Sequence, residues 1–410
     1  MESVLVTLKE RGFIEQSTEE DLIRNLLKNR TTCYVGFDAT GISLHVGHLL
    51  PIMGLMHMQK AGHRPVALLG GGTTLIGDPS GKTEARPIIS IDEIEKNSMG
   101  IGLQLGRFLD FNNDNGLILN NAEWLVNLNY IEFLRDIGRY FSVNRMLAAE
   151  SYKQRLETGL SFLEFNYMLL QAYDYWYIFK KTGCRLQMGG NDQWGNILAG
   201  ADLIRRIDGE VVHAVTMPLI TTSSGIKMGK THKGAVWLDP NLTSPYDYYQ
   251  FWVNQDDRDV GRFLALFTFL PMDEIRKLSS LDGADLREAK EVLAMEATSI
   301  CHGKEAAVLA RDASKKLFGV GAAEGDDASV PTYEISIKEL KDGIQAYILF
   351  ELCGLRPSKS EARRLILQNG AYINGEQIKE FDKKIDAGFL KNGYLLLRAG
   401  KKKFMKIVAK

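Results

Sequence analysis

The core of the fold is predicted by residues 31–72, TTCYVGFDATGISLHVGHLLPIMGLMHMQKAGHRPVALLGGG. The apolar run at 31–38 indicates a short buried strand. The apolar spacing in LLPIMGLMHMQKAG (49–62) predicts a helix that ends at Gly62. RPVALLGGG (64–72) begins as a second strand and breaks at its glycines. A strand, a helix and a strand within about 40 residues are typical of a parallel unit whose sheet is buried on both faces.

Further along the chain, the same alternation continues. Residues 96–182 are predicted to be mainly helical, CRLQMGGNDQWGN (184–196) indicates a strand and a glycine-rich turn, and another strand is expected around 212–220. We therefore expect an α/β fold with a Rossmann-like, doubly wound parallel sheet and a helical insertion. In such sheets ligands bind at the carboxyl ends of the strands.

The rest of the chain predicts two smaller parts. SPYDYYQFW (244–252) is followed by helical patterns to about residue 318, and GVGAAEGDDASVP (319–331) has the composition of a linker. SKSEARRLILQNG (358–370) predicts a helix capped by Ser358 and Glu361 and stopped by Gly370, and a hairpin and a strand pair follow. The predicted boundaries are 1–225 for a Rossmann-like catalytic domain with its insertion, 226–318 for a glycine-rich loop and an α-helical domain, 319–333 for the linker, and 334–410 for a small α+β domain.

The composition excludes several classes of protein. The chain has 410 residues, of which 45% are hydrophobic and 25% charged, and no apolar run approaches the roughly 18 residues of a membrane helix. The start, MESVLVTLKERGF, lacks the pattern of a signal or transit peptide, so the cytoplasm is the expected location. The four cysteines form no CxxC pair, which argues against a disulfide framework and against a zinc site.

The charge is unevenly distributed. Residues 334–410 contain 16 Lys and Arg against 9 Asp and Glu, which gives +7 there and −8 elsewhere. A basic end suits nucleic acid, although a solvated lysine-rich tail has the same composition. On the helix predicted within this end, Lys359, Arg363 and Arg364 lie near one another and suit an RNA backbone. An ordinary charged helix face is the alternative interpretation.

The motif HVGH places His45 and His48 three residues apart at the start of the predicted helix. A zinc site needs at least three protein ligands, and neither a cysteine nor a third histidine is near. Free backbone N–H groups and the helix dipole make such a terminus a favourable place for phosphate. Gly47 would let a flat ring or a ribose approach the backbone. Two histidines that only cap the helix remain the alternative.

Two further features predict a charged and a polar ligand group. The loop motif KMGKT carries Lys227 and Lys230, which suit phosphate oxygens, although lysine-rich loops are common. The mostly apolar helix predicted at 161–179 has one polar stripe, formed by Tyr167, Gln171 and Asp174. Buried polar groups need partners, and Asp174 together with Tyr34 could hold a ligand hydroxyl. An internal hydrogen-bond network would equally satisfy the stripe.

Together these motifs resemble those of the class I aminoacyl-tRNA synthetases. HVGH and KMGKT stand where that family has HIGH and KMSKS, with Val46, Gly229 and Thr231 as the departures. The stretches YVGFDATGISLHVGH, TLIGDPSGK, QAYDY, GGNDQWGNI and SPYDYYQFW are similar to bacterial-type tyrosyl-tRNA synthetases. The tail beginning RPSKSEARRLI resembles the S4-type RNA-binding domain of those enzymes, and the resemblance covers essentially the whole chain.

The resemblance implies roles for individual residues. The tyrosine phenol would lie between Tyr34 and Asp174. Its ammonium would be bound by Asp78, Tyr167 and Gln171, and Gln193 would lie near its carboxylate. The ATP-site residues it implies are Gly36, Asp38, Gly47, His48, Asp192 and Lys230. The residues that it assigns to the chemical step, chiefly through the departing pyrophosphate, are Thr40, His45, His48, Lys82, Arg86, Lys227 and Lys230. The RNA-binding residues remain Lys359, Arg363 and Arg364.

The implied activity is that of a tyrosine–tRNA ligase, which uses ATP with Mg²⁺, L-tyrosine and tRNA(Tyr). The resemblance also implies a homodimer, and we expect neither a membrane partner, nor a protein-bound metal site, nor a tightly bound cofactor. A tryptophan enzyme would share the architecture, but Tyr34 and Asp174 suit a phenol. Another nucleotidylyltransferase would leave the basic tail unexplained, and a non-catalytic RNA-binding protein would leave the nucleotide-site residues unexplained.

Overall fold

The structure is a computed structural model that describes residues 3–80, 86, 88–223, 225, 228–231, 234–283, 285–318, 331–391, 393–400 and 403–409. The chain divides into two compact units. The first comprises Met1–Thr243 and Phe251–Cys301, and the second comprises Ser244–Gln250 and His302–Lys410. Among the described residues, no helix is both long and apolar enough to cross a membrane.

The first unit is built on a six-stranded sheet with the order β1-β6-β5-β2-β3-β4. Its strands are β1 (Gln16–Ser17), β2 (Thr32–Asp38), β3 (Arg64–Gly70), β4 (Leu117–Asn120), β5 (Leu186–Gly190) and β6 (His213–Met217). The strands β2 to β6 run parallel, and the short β1 is antiparallel to β6. A two-stranded antiparallel ribbon follows, formed by β7 (Lys230–Thr231) and β8 (Gly234–Ala235).

The doubly wound sheet predicted from the sequence is confirmed. From β2 the chain continues to β3 and β4 on one side and then returns to β5 and β6 on the other. The point where the strand order reverses therefore lies between β2 and β5, and ligands bind at such points. β3 is buried along almost its whole length, as a parallel strand covered on both faces should be.

Residues 96–182 are mainly helical, as predicted, but they also contain the strand β4, which the sequence did not predict. Leu119 pairs with Leu68, and Asn120 pairs with Leu69 of β3. The four-residue run LILN is too short for its periodicity to distinguish a strand from part of a helix, so only the pairing partner reveals it.

The helices cover the sheet and form most of the remaining chain. α3 follows the HVGH turn, buries Leu49, Ile52 and Met53, and precedes Gly62, which has φ +88°, as predicted. The helix predicted at 161–179 is instead broken at Asn166 into two helices. The α-helices are α1 (Val4–Glu10), α2 (Glu20–Leu26), α3 (Leu49–Lys60), α4 (Ile91–Phe108), α5 (Ala122–Leu125), α6 (Tyr130–Asp136), α7 (Val143–Leu147), α8 (Glu150–Thr158), α9 (Phe162–Phe165), α10 (Tyr167–Thr182), α11 (Trp194–Asp208), α12 (Pro245–Val253), α13 (Val260–Phe267), α14 (Met272–Ser279), α15 (Leu286–His302), α16 (Lys304–Phe318), α17 (Ile337–Asp342), α18 (Ala346–Leu352) and α19 (Lys359–Leu367).

The second unit contains a five-stranded sheet with the order β12-β11-β14-β15-β9. Its apolar side chains form one core with those of α18 and α19. The strands of this unit are β9 (Thr332–Ile335), β10 (Ile344–Gln345), β11 (Ala371–Ile373), β12 (Glu376–Gln377), β13 (Lys384–Ile385), β14 (Tyr394–Ala399) and β15 (Lys403–Ala409).

Most of the local features predicted for this unit are observed in the structure. The predicted hairpin turns through Asn374 at φ 51° and Gly375 at φ 84°. The Ser358 hydroxyl accepts a 3.2 Å hydrogen bond from the Glu361 backbone N–H, as a cap should. After α19, the left-handed residue is Asn369, at φ 58°, and not the predicted Gly370.

The predicted domain boundaries stay predictions. Of the predicted linker, residues 319–330 lie outside the described residues, and Thr332 and Tyr333 belong to β9.

Candidate active site

A cavity of about 580 Å³ lies at the carboxyl ends of β2 and β5, where the strand order reverses. Most residues that the sequence assigned to substrates line it. They are Tyr34, Gly36, Asp38, Thr40, His45, Gly47, His48, Asp78, Arg86, Tyr167, Gln171, Asp174, Asp192 and Gln193. Lys82 and Lys227 lie outside the described residues, and so does the side chain of Lys230, whose backbone is part of β7.

One end of the cavity contains a buried carboxylate beside a hydroxyl. Asp174, from α10, is 1% exposed and accepts hydrogen bonds from the Asn121 amide at 2.8 Å and from the Trp124 indole N–H at 2.7 Å. Burial raises the pKa of Asp174 to about 7, because an apolar environment disfavours the charged form. The buried hydroxyl of Tyr34 has no hydrogen-bond partner among the described residues. This pair can therefore receive a ligand hydroxyl that both donates and accepts.

Asn121 and Trp124 are site residues that the sequence did not predict. Asn121 follows β4 directly, and Trp124 lies in the short helix α5 after it. The position of Asn121 at the carboxyl end of a strand would have indicated a site residue, had β4 been recognised. Trp124 also stacks on Tyr177, with ring centroids 4.4 Å apart.

Two more carboxylates, those of Asp38 and Asp78, line the same cavity. Asp38 accepts hydrogen bonds from the Thr73 hydroxyl at 2.9 Å and the Tyr167 hydroxyl at 3.1 Å. Asp78 accepts from the Gln193 amide at 2.7 Å and from the Ser80 backbone N–H at 2.9 Å.

Both carboxyl groups are perturbed by burial. Burial, and secondarily the charge of Asp78, raises the pKa of Asp38 to about 6. Burial also raises the pKa of Asp78, against the opposing effect of its hydrogen bonds. Among the described lysines and arginines, Arg86 lines the cavity, and its Nε–H donates to the Asp78 backbone carbonyl at 3.4 Å. Carboxylates gathered in this way favour a ligand that carries an ammonium group.

The HVGH motif forms a 3-10 turn, Val46–His48, immediately before α3. The Nδ1 atom of His45 accepts a hydrogen bond from the Gly47 N–H at 3.0 Å, and Nδ1 of His48 accepts one from the His45 N–H at 3.2 Å. The two rings therefore cap their own turn, which is the alternative the sequence left open. Burial, followed by the charge of His45, lowers the pKa of His48 to about 3, so this ring is neutral at physiological pH.

The cap does not exclude a ligand role. A neutral imidazole that accepts at Nδ1 carries its proton at Nε2, so His48 keeps a donor nitrogen on the other side of its ring. Within the described part of the chain, no group of three or more His, Cys, Asp or Glu side chains is arranged to hold a metal ion. The Nε2 donor of His48 can therefore contact an acceptor atom of a ligand.

Gly47 is required by the protein itself. A Cβ atom there would lie 2.7 Å from Cε1 of His45 and 3.2 Å from the Met228 carbonyl oxygen. Gly229, at φ +89°, packs against the same turn, where its own Cβ would lie 2.9 Å from the Gly47 nitrogen. The described part of the KMGKT loop therefore lies directly against HVGH at Gly47. The approach of a ligand ring or ribose to Gly47 stays a prediction.

The predicted RNA-binding residues lie in the second unit. Lys359, Arg363 and Arg364 are exposed on α19. The Arg363 guanidinium lies 4.1 Å from the Tyr347 ring centroid and 5.4 Å from that of Phe381. Such stacking restricts the side chain while its N–H groups stay at the surface.

Comparison with known proteins agrees with this arrangement. The family described as class I tRNA synthetases (W and Y) matches residues 26–319, and the tyrosine–tRNA ligase SYY-like C-terminal domain matches residues 323–407. The tyrosine–tRNA ligase of Desulfatibacillum aliphaticivorans is 56% identical over 99% of this chain and 98% of its own. That of Clostridium tetani is 52% identical over 99% of both chains. The crystal structure of a C-terminally truncated Aspergillus nidulans mitochondrial tyrosyl-tRNA synthetase superposes with a TM-score of 0.70 at 33% identity, covering 78% of this chain and 95% of that one.

The doubly wound sheet, the cavity at its switch point and the first match define a class I aminoacyl-tRNA synthetase. The C-terminal match and the full-length identities separate the tyrosine enzymes from the tryptophan enzymes within that class. The chain belongs to the tyrosine–tRNA ligase family, as the sequence motifs predicted.

Proposed function

We propose that the cavity binds L-tyrosine and ATP together, joins them as tyrosyl-adenylate, and then transfers tyrosine to the 3′-terminal adenosine of tRNA(Tyr). Membership of the tyrosine–tRNA ligase family supports this activity. The observation that carries the proposal is the unpartnered Tyr34 hydroxyl beside the buried carboxyl of Asp174.

Tyrosine would bind with its phenol between Tyr34 and Asp174. Phenylalanine would leave the Tyr34 hydroxyl buried and unpaired and would give Asp174 no donor beyond Asn121 and Trp124, which costs more than the loss of one hydrogen bond. Tyrosyl-tRNA synthetases are themselves the standard example of this kind of discrimination. The ammonium would lie near Asp78, Tyr167 and Gln171, among carboxylates whose charge it neutralises. That position directs the substrate carboxylate towards Gln193 and the nucleotide.

ATP would bind along the HVGH turn. Gly47 and His48 would contact the nucleoside, with Gly36 and Asp38 beside them. Asp192, in the 3-10 turn that precedes α11, would bind the ribose hydroxyls. His45 and Thr40 would face the phosphates. The cations assigned to the leaving pyrophosphate are Lys82, Arg86, Lys227 and Lys230. Mg²⁺ would enter with the ATP phosphates and supply part of the charge neutralisation.

The first step needs no general base, because the attacking carboxylate of tyrosine is already ionised. One of its oxygens attacks the α-phosphorus in line, the bond from that phosphorus to the β-bridging oxygen breaks, and pyrophosphate leaves. In the second step a ribose hydroxyl of the terminal adenosine attacks the carbonyl carbon and AMP leaves. The protein's contribution is to hold the reactants in position and to place positive charge where negative charge develops.

Exchange of pyrophosphate into ATP, measured with each of the twenty amino acids, tests the proposal. We expect exchange with tyrosine alone, and we expect Asp174→Ala to abolish it. Exchange with tryptophan instead, or with no amino acid, would contradict the proposed function. Normal tyrosine activation by Asp174→Ala would contradict the assignment of the phenol site.

We further propose that α19 binds the tRNA backbone through Lys359, Arg363 and Arg364. The net charge of +7 over residues 334–410 supports this assignment. Replacing the three by alanine should weaken tRNA binding and flatten its salt dependence by about one unit of slope for each lost phosphate contact. The matched control is Lys28→Ala, which removes an exposed lysine of the first unit. An unchanged salt slope would assign these residues to an ordinary charged face.

We also propose that two copies of the chain associate through the helical insertion. Ile131 on α6 is 70% exposed and Phe162 on α9 is 71% exposed, and burial of such apolar area in an interface would favour association. Phe162→Glu should therefore yield a monomer in analytical ultracentrifugation where the parent is a dimer. A monomeric parent would contradict the proposal.

The cytoplasmic location stays a prediction that cell fractionation tests.

A further inference from the structure

A buried asparagine lies behind the proposed tyrosine site. Asn196 is in the first turn of α11 and is 1% exposed. Its Nδ2 atom lies 3.1 Å from Oε1 of Gln171, 3.1 Å from Oε1 of Gln193 and 3.2 Å from the Ser80 hydroxyl oxygen. One amide group thus contacts three segments of the chain that line or support the cavity, although Asn196 does not itself line it.

In this cluster the orientation of each side-chain amide group follows from that of its neighbour, beginning at Asp78. The Asp78 carboxylate accepts from Nε2 of Gln193 at 2.7 Å, which turns Oε1 of Gln193 towards Asn196. Asn196 must then present its NH₂ group, because an oxygen there would oppose another oxygen. The same NH₂ group fixes Oε1 of Gln171. Asp78 therefore fixes the orientation of the Gln193 amide, Gln193 fixes that of Asn196, and Asn196 fixes that of the Gln171 amide.

Resting on the proposed function, we propose that Asn196 is a positioning residue for the amino and carboxylate ends of tyrosine. It holds the Gln171 and Gln193 amides in the orientations that meet the substrate ammonium and carboxylate. It contacts neither the substrate nor ATP. Its loss should therefore affect tyrosine binding and leave ATP binding nearly unchanged.

Two substitutions distinguish this role from simple packing. Asn196→Asp keeps the side-chain volume but replaces the donor NH₂ by an acceptor oxygen, whereas Asn196→Ala removes both volume and donor. We expect the KM for tyrosine in pyrophosphate exchange to rise about 10- to 100-fold in Asn196→Asp, the scale of an unsatisfied buried hydrogen bond, and less in Asn196→Ala. The KM for ATP should change by less than about threefold. A packing role predicts the reverse order, with alanine worse than aspartate.

A pH series adds a readout that a structural role would not change. The carboxyl group introduced by Asn196→Asp regains one donor when it is protonated, so the tyrosine KM of this variant should improve relative to Asn196→Ala as the pH falls. Asn374→Asp is the control, because it alters a half-buried amide with two hydrogen bonds in the second unit. Its tyrosine KM should equal that of the parent. Thermal unfolding shows which variants are folded.

The outcomes separate the inference from the proposed function. Absence of tyrosine-dependent exchange in the parent contradicts the function itself. With an active parent, the inference is overturned by equal effects on the tyrosine and ATP KM values, by alanine being worse than aspartate, or by no change. If Asn196→Asp does not fold, Asn196→Ser decides: its single hydroxyl donor should give a tyrosine KM between those of the parent and alanine, and a value at or above that of alanine overturns the inference.

Discussion

Removal of the indole N–H of Trp124 should weaken tyrosine binding and shift its pH dependence. Trp124→Phe keeps an aromatic ring that can stack on Tyr177 but deletes the donor that lies 2.7 Å from Oδ1 of Asp174. A hydrogen bond to a buried charged group contributes about 1.5–3 kcal/mol, so we expect the tyrosine KM to rise about 10- to 150-fold. The pKa of Asp174, about 7 in the parent, should rise further, because the lost donor stabilised the carboxylate.

The assay is pyrophosphate exchange from about pH 6 to 9, analysed as kcat/KM for tyrosine. The acidic limb of the profile should move to higher pH in Trp124→Phe, and the KM for ATP should stay near the parent value. Trp176→Phe is a matched control, because the indole N–H of Trp176 also donates a 2.7 Å hydrogen bond, to Asp208. Neither Trp176 nor Asp208 lines the cavity. Equal profiles for the parent and Trp124→Phe, or equal effects of the two substitutions, would refute the reasoning.

Three further predictions concern the same cavity. Gly36→Ala should leave the melting temperature unchanged, because no described atom beyond its chain neighbours lies within 4 Å of the added Cβ, yet raise the KM for ATP; an unchanged ATP KM would place the nucleotide elsewhere. Lys230→Ala should slow tyrosine activation about 10²- to 10³-fold with tyrosine binding little changed, and equal losses in binding and turnover would exclude a transition-state role. Asp38 and Asp174 have pKa values raised to about 6 and about 7, so the ligand-free folded state binds more protons than the unfolded chain. The stability that these two groups contribute is fully present below the ordinary Asp pKa of 3.8 and is lost as the pH rises through about 6 and about 7. The melting temperature should therefore fall across that window, and it should fall less steeply in Asp174→Asn.

The parts of the fold that could be predicted are those whose signal is local. β2, α3 and β3 follow from apolar runs and a glycine stop, because parallel strands buried on both faces are apolar throughout. The apolar run of β4, LILN, is too short to indicate a strand. Its four residues become a strand only by pairing with β3, and the pairing depends on the tertiary structure.

The same distinction applies to the site. Residues expected to touch substrate, such as Tyr34 and Asp174, lie within recognisable motifs. Asn121, Trp124 and Asn196 act on other side chains, and Asn121 lies 53 residues from the carboxylate that it contacts. No local pattern encodes such a partner. Asn196 lies within the motif GGNDQWGNI, but its contacts with Gln171 and Gln193 are seen only in the structure. The histidines show a further limit, because the sequence presents helix capping and ligand contact as alternatives, whereas His48 caps through Nδ1 and its Nε2 can still donate to a ligand.

A crystal structure with a non-hydrolysable tyrosyl-adenylate analogue tests the account most directly. We expect the phenol oxygen within about 3 Å of both the Tyr34 hydroxyl and an Asp174 oxygen, with the ribose beside Asp192 and the adenine side of the ligand along Gly47 and His48. A phenol bound away from Asp174, or an adenylate outside the cavity at the ends of β2 and β5, would contradict it.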